Sequence, residues 1–264
     1  MLQWSLVSIT NGPVRWHVST VEAESRVLGG RDAGQISHNV DQASALPAGF
    51  GLLAKRAAGT DETPRGAVMT KRILDLVLAS VALVVLLPVF AVIAVVVRLQ
   101  DGSPVLFRQQ RVGKNCAGFT MLKFRTMRPD AEERLAELMH RNEGFGPLFK
   151  IRDDPRITRV GGFLRKTSLD ELPQLWNVLV GDMSLVGPRP ALPREVAQWE
   201  PAAFGRLTVR PGITGPWQVN GRSDLPWDEG LRHDLEYAAN WSVGTDMILL
   251  AKTVPRVLFP RGAY

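Results

Sequence analysis

The chain has 264 residues, 32 Lys+Arg against 26 Asp+Glu and 45% hydrophobic content, which suits one or two domains with a sizeable core. That composition excludes wholesale disorder and a collagen-like fibre, and the single cysteine, Cys116, which has no intrachain partner, excludes a disulfide-stapled miniprotein. Residues 1–70 hold six basic and six acidic side chains, so the whole excess of +6 belongs to residues 71–264. That balance predicts an anionic partner: phospholipid, a phosphorylated substrate or nucleic acid.

Residues 1–68 show no sustained helical or strand period and are expected to form a weakly structured or disordered amino-terminal extension. They do not read as a signal peptide, since no basic region precedes an apolar stretch. At Lys71-Arg72 the character changes. From Ile73 to Val97 the only charge is Asp75, and the uncharged run Leu76–Val97 approaches the ~20 residues that span a hydrocarbon core. Residues 69–99 are therefore read as a membrane helix. Basic residues flank both ends, Lys71 and Arg72 before it and Arg98, Arg108, Arg111 and Lys114 after it, so charge gives no orientation. Pro88 interrupts the run and predicts a kink. On these residues alone, a spanning helix and one returning to the same face fit equally.

Residues 100–264 read as a cytosolic α/β domain, mostly helical with short strands. Pro104–Phe107 and Phe119–Phe124 look like strands joined by the Gly113–Gly118 turn, in which Cys116 is a small turn residue. Helices are predicted over Arg128–Arg141 and from Leu169 to Leu179, the latter closed near Gly181. Further helical patterns cover Leu192–Trp199, Trp227–Ala239 and Thr245–Leu258.

The most informative stretch for chemistry is Arg165 to Gln174. Ser168 and Glu171 have capping-box spacing, but Pro173 would then fall where a helical donor is needed. Starting the helix at Asp170 removes that conflict and puts Asp170 and Glu171 at its positive end, which favours their ionised forms. Such a pair beside Arg165 and Lys166 offers a nucleophile and a magnesium ligand. Capping and chemistry weigh evenly on spacing alone. In Gly181–Pro190, two prolines fix a loop around Arg189, whose guanidinium suits a phosphate. Lys123–Met127 and Arg210–Arg222 interleave cations, glycines and aromatics as phosphate contacts do, and as solvated loops also do. The chain holds no P-loop, GxGxxG, paired metal cysteines or HExxH, and its four histidines are scattered.

Together these stretches resemble the bacterial sugar transferase family, the polyprenyl-phosphate hexose-1-phosphate transferases (monotopic phosphoglycosyl transferases) that begin exopolysaccharide and O-antigen repeat units. The resemblance rests on Lys71-Arg72 to Asp75, Lys123–Met127, Asp153–Arg156, Ser168–Gln174, Gly181–Pro190, Pro211–Arg222, Asn240–Ser242, Asp246 and Gly262–Tyr264, in order over about residues 69–264. It implies an enzyme at the cytoplasmic face of the bacterial inner membrane, moving a sugar-1-phosphate from a UDP-sugar to undecaprenyl phosphate and releasing UMP. It also implies Asp170 as the nucleophile of a covalent aspartyl-phosphosugar intermediate, Glu171 as the Mg2+ ligand, and Arg165, Arg189 and Lys123 as phosphate contacts. Asp246 and Arg222 match family positions of less defined role. The resemblance favours a re-entrant helix, although Leu87 precedes Pro88 where members often carry a serine. Homo-oligomerisation is left open. A non-catalytic scaffold of polysaccharide assembly, or a membrane-anchored nucleic-acid-binding protein, would need neither Asp170 nor Glu171.

Overall fold

A single helix, α1 (Arg65–Asp101), carries the whole apolar run and continues through Pro88. The computed structural model describes residues 2–7, 15–20, 65–143, 149, 151, 153–221 and 225–258. Within the amino-terminal extension, strands β1 (Leu2–Val7) and β2 (Arg15–Thr20) pair antiparallel, with Trp4 opposite Val18 and Leu6 opposite Trp16. The rest of the expectation for that extension falls outside the described residues.

α1 has two faces. One packs on the domain along its length. Ala79, Leu83 and Leu86 meet Phe119, Met121 and Val178 near its start, and Phe90, Ile93 and Val97 meet Phe124 and Leu164 near its end. The other face leaves Val81, Val84, Val85, Leu87, Val92 and Val95 exposed. Such a contiguous apolar surface marks a lipid or protein contact.

The polar residues at the two ends of α1 are spent on the domain. Lys71 donates to Asp246 Oδ2 (2.5 Å) and to Val186 O (3.0 Å), and Tyr237 OH donates to Asp246 Oδ1 (2.6 Å). Arg72 donates to Val178 O and Leu179 O at 2.7 and 2.9 Å. The buried Asp75 accepts from Leu185 N at 3.0 Å. At the other end, Arg125 donates to Asp101 O (2.5 Å) and Gly102 O (2.9 Å). Arg72 and Arg125 satisfy carbonyls that helix ends leave unpaired, a use hidden from any count of flanking charge.

Strands β3 (Leu106–Val112) and β4 (Gly118–Phe124) form an antiparallel hairpin with Phe107 opposite Lys123. β3 starts two residues later than expected and runs five further, to the turn where Asn115 and Cys116 both take positive φ. Cys116 is buried, and burial pushes its thiol up to about 12. The expected Arg128–Arg141 helix shrinks to α2 (Leu135–Leu138) and a 3-10 turn at Met139–Arg141, because no residue of either is buried to anchor a longer one.

Helix α3 (Arg159–Thr167) was not predicted, since Gly161-Gly162 breaks the apolar period. A 3-10 turn at Leu169–Glu171 leads to α4 (Gln174–Val180), which Gly181 closes in the left-handed region at φ +97°. Strands β5 (Ser184–Val186) and β6 (Gly212–Thr214) pair in parallel. Between them lie α5 (Pro193–Val196), shorter than the predicted Leu192–Trp199, and a 3-10 segment at Pro201–Thr208. The chain goes on through α6 (Pro216–Asn220) to α7 (Trp227–Asn240) and α8 (Val243–Leu258), the last two close to their predicted bounds. Mostly helical with short strands, the architecture keeps the expected class.

Candidate active site

Three elements converge on one carboxylate. β4 supplies Lys123, the 3-10 turn supplies Asp170 and Glu171, and α3 supplies Arg165. α3 can reach the end of β4 only because Gly161 lacks a side chain: a Cβ there would stand 2.0 Å from Thr126 O. Thr158 caps the helix by accepting from Gly161 N at 3.0 Å. One turn later, Arg165 Nε donates to Thr126 Oγ1 at 3.0 Å.

Ser168 ends α3 in the left-handed conformation, φ +58°, and its side chain makes no cap hydrogen bond. The capping-box alternative is therefore overturned; Glu171 turns instead to Lys123, whose Nζ is 2.6 Å from Glu171 Oε1 and 4.0 Å from Asp170 Oδ2. The α-helix also starts later than expected. Pro173 is its N-cap, and the two carboxylates lie in the preceding 3-10 turn.

Their ionisation differs from the expectation too. Asp170 is 6% exposed, and burial pushes its carboxyl up to about 6, with Glu171 adding to the rise and Lys123 and Arg165 opposing it. A carboxylate desolvated yet faced by cations is mostly ionised at neutral pH and only weakly solvated. That suits a nucleophile. Burial also draws Arg165 down, while Asp170, Asp154 and Glu171 hold its charge in place.

Arg189 stands on a second wall. Its side chain is 43% exposed, with Glu195 Oε1 4.0 Å away, which leaves the guanidinium available to an anion. The loop beneath is fixed backbone to backbone, since a Cβ on Gly215 or Gly212 would stand 2.0 Å from Gly187 O or 2.1 Å from Gly187 N. Gly212 and Gly215 of Arg210–Arg222 thus serve close packing against the Arg189 loop. Two buried arginines missed in the sequence complete the support. Arg111 donates to Pro190 O at 2.8 Å, and Arg206 to Arg189 O at 3.3 Å. Burial and then Arg189 pull Arg111 down to about 9, with Glu195 and Glu171 opposing. No local signal distinguished Arg111, one of two cations on an alternating strand.

Asp246 is not drawn into this group; its carboxylate is held by Lys71 and Tyr237. Arg222 lies outside the described residues. Asp154, in the Asp153–Arg156 stretch, forms a bidentate pair with Arg156 (2.9 and 2.7 Å) that ties the loop to Ala131 O. Among the described residues no cluster of three or more metal-ligating side chains exists. Among the described residues, the adjacent carboxylates Asp170 and Glu171 would suit magnesium, which is commonly held by one or two carboxylates with substrate phosphates and water.

The sequence model of the bacterial sugar transferase family matches residues 66–260. The exopolysaccharide production protein ExoY of Rhizobium meliloti is 42% identical over 200 residues, covering 74% of this chain and 88% of that protein. The undecaprenyl-phosphate galactose phosphotransferase of Salmonella typhimurium is 41% identical over 204 residues, 76% of this chain and 43% of that enzyme. The UDP-glucose:undecaprenyl-phosphate glucose-1-phosphate transferase of Xanthomonas campestris pv. campestris is 37% identical over 241 residues, 88% of this chain and 47% of that enzyme. The chain thus spans less than half the length of these two named transferases. The buried carboxylate and its surrounding cations lie on a domain that carries a helix long and apolar enough to cross a membrane. The chain belongs to the bacterial sugar transferase family, and its activity is of the phosphoglycosyl transferase type.

Proposed function

We propose that the protein transfers a hexose-1-phosphate from a UDP-sugar to undecaprenyl phosphate, releases UMP and so initiates exopolysaccharide or a related glycoconjugate. The donor and acceptor classes come from the relatives' names. The observation that carries the chemistry is the buried Asp170 carboxylate between Lys123, Glu171 and Arg165. An oxygen of Asp170 bonds to the sugar-linked phosphorus of the donor as the bond to the UMP oxygen breaks, and UMP leaves with that electron pair. An oxygen of the acceptor phosphate then attacks the same phosphorus and frees the Asp170 carboxylate. Lys123, Arg165 and Arg189 stabilise the charge spread over the phosphoryl oxygens. Magnesium, held by Glu171 with the substrate phosphates, would neutralise further charge.

The same reading places the helix at the cytoplasmic face of the inner membrane, entering and leaving by one side. Its support is that both ends of α1 are bonded to one domain, at Asp246 and at Arg125, while the opposite face stays apolar and exposed. The test omits the acceptor. With labelled UDP-sugar and magnesium, the protein should retain label and Asp170→Asn should not, and UMP release should fall by roughly a thousandfold or more. Near-normal UMP release by Asp170→Asn would end the nucleophile assignment.

A further inference from the structure

Between the second half of α1 and helix α3 lies a cavity of about 560 Å³, lined by Pro88, Val92, Ile93, Val160, Phe163 and Leu169 among others. Of its described lining residues, only Arg159 has a polar side chain. Three features tie this groove to the chemistry. Its inner wall includes Leu169, the residue before Asp170. Its α3 wall belongs to the helix that carries Arg165 to Thr126 and the carboxylate. Its outer rim, Val92 and Phe163, is 63% and 61% exposed and continues the apolar face of α1.

We infer that this groove holds the first isoprene units of the polyprenyl phosphate acceptor and points its phosphate at Asp170. The inference rests on the reading under Proposed function and assigns its acceptor a place. A chain of branched hydrocarbon units matches a wall of Val, Ile, Leu, Phe and Pro side chains, because burial of apolar surface drives such binding without directional bonds. The headgroup is matched by charge. Arg159 is exposed at the groove's edge and, among the described residues, has no ion pair or hydrogen bond, while Arg165 and Lys123 stand beside Asp170. A phosphate at the inner end of the groove, past Leu169, therefore meets Arg165 and Lys123, while the tail runs along apolar side chains with Arg159 the one polar group beside it among the described lining residues. A sugar nucleotide has no comparable hydrocarbon to place there, so this wall discriminates acceptor from donor.

The test uses the full chain in nanodiscs. Val92→Trp fills the groove from an exposed position and so spares the fold, and Val92→Leu is the conservative control. Val92→Trp should raise KM for long-chain polyprenyl phosphate by about tenfold, leaving the KM for UDP-sugar and the acceptor-free labelling of the protein unchanged. In a second arm, a photoreactive isoprenyl phosphate should label the peptide containing Phe163, and polyprenyl phosphate should compete it away while phosphatidylglycerol does not. An unchanged acceptor KM, labelling elsewhere, or equal competition by phosphatidylglycerol would overturn the assignment, the last by making the groove a general lipid cavity. Failure of the unaltered protein to use any polyprenyl phosphate would count against the parent reading instead. The labelling arm needs no turnover and still decides the groove.

Discussion

Two buried acid–base groups in this domain use similar residues to opposite ends. Asp234 on α7 and Arg206 are fully enclosed; the guanidinium donates to Asp234 Oδ2 and lies 5.0, 5.7 and 5.8 Å from the ring centres of Trp199, Trp217 and Trp227. Burial pushes the Asp234 carboxyl up and Arg206 pulls it back. Asp170 is nearly as buried, yet its nearest cation, Lys123, stands 4.0 Å from it and 2.6 Å from Glu171 instead. One carboxylate has its partner in contact; the other is left short of one. A closed pair holds a fold, whereas an under-compensated charge retains affinity for an incoming phosphorus.

The contrast breaks most visibly by neutralising each carboxylate in turn. Asp234→Asn strands Arg206 among three indole rings, so it should lower stability by about 3–5 kcal/mol. Thermal unfolding in detergent should show it, together with loss of the Arg189 loop's support. Gly161→Ala should be intermediate. Its added carbon meets backbone at Thr126, so α3 must move, at a stability cost of about 1–3 kcal/mol. Displacing Arg165 should slow UMP release by roughly tenfold to a hundredfold, with stability and rate measured on the same preparation.

The smallest effect is on pH. Because the native Asp170 carboxyl is raised from 3.8 to about 6, the folded chain holds that proton more tightly than the unfolded chain does. Stability from this group is fully present below about 4, falls as pH rises to about 6 and stays lower above it. UMP release should rise around pH 6, as the native nucleophile ionises. Asp170→Asn should unfold at or above the wild-type temperature at pH 7.5, the gap closing toward pH 4. A wild-type rate flat from pH 5 to 8 would contradict the raised value.

What the sequence disclosed follows from how far each feature depends on neighbours in the chain. The apolar run, α7 and α8 are legible because burial imposes a period on consecutive residues. Lys123, Arg165, Asp170, Glu171 and Arg189 stood out by residue type and motif. Their division into a carboxylate turn and a separate anion wall did not. Glu171 looked like a cap partner because spacing cannot reveal Lys123, 48 residues away. α3 stayed hidden because Gly161, the residue that lets it dock, is the one that spoils its helical pattern. Lys71 and Asp246 looked like a flanking charge and a site candidate, and they are partners of each other.

That last pairing sets an order on how the protein is made. Lys71 and Asp246 are 175 residues apart, an interval of roughly 10–30 s at the usual rates of chain synthesis. Throughout it the hydrophobic helix is outside the ribosome's catalytic centre while the carboxylate that will clamp its second turn does not yet exist. The hairpin and α4 that pack on the helix are made first, and the Lys71–Asp246 clamp closes only as the last helices fold. Translation pauses between codons 100 and 240 lengthen that unclamped interval, and faster elongation shortens it.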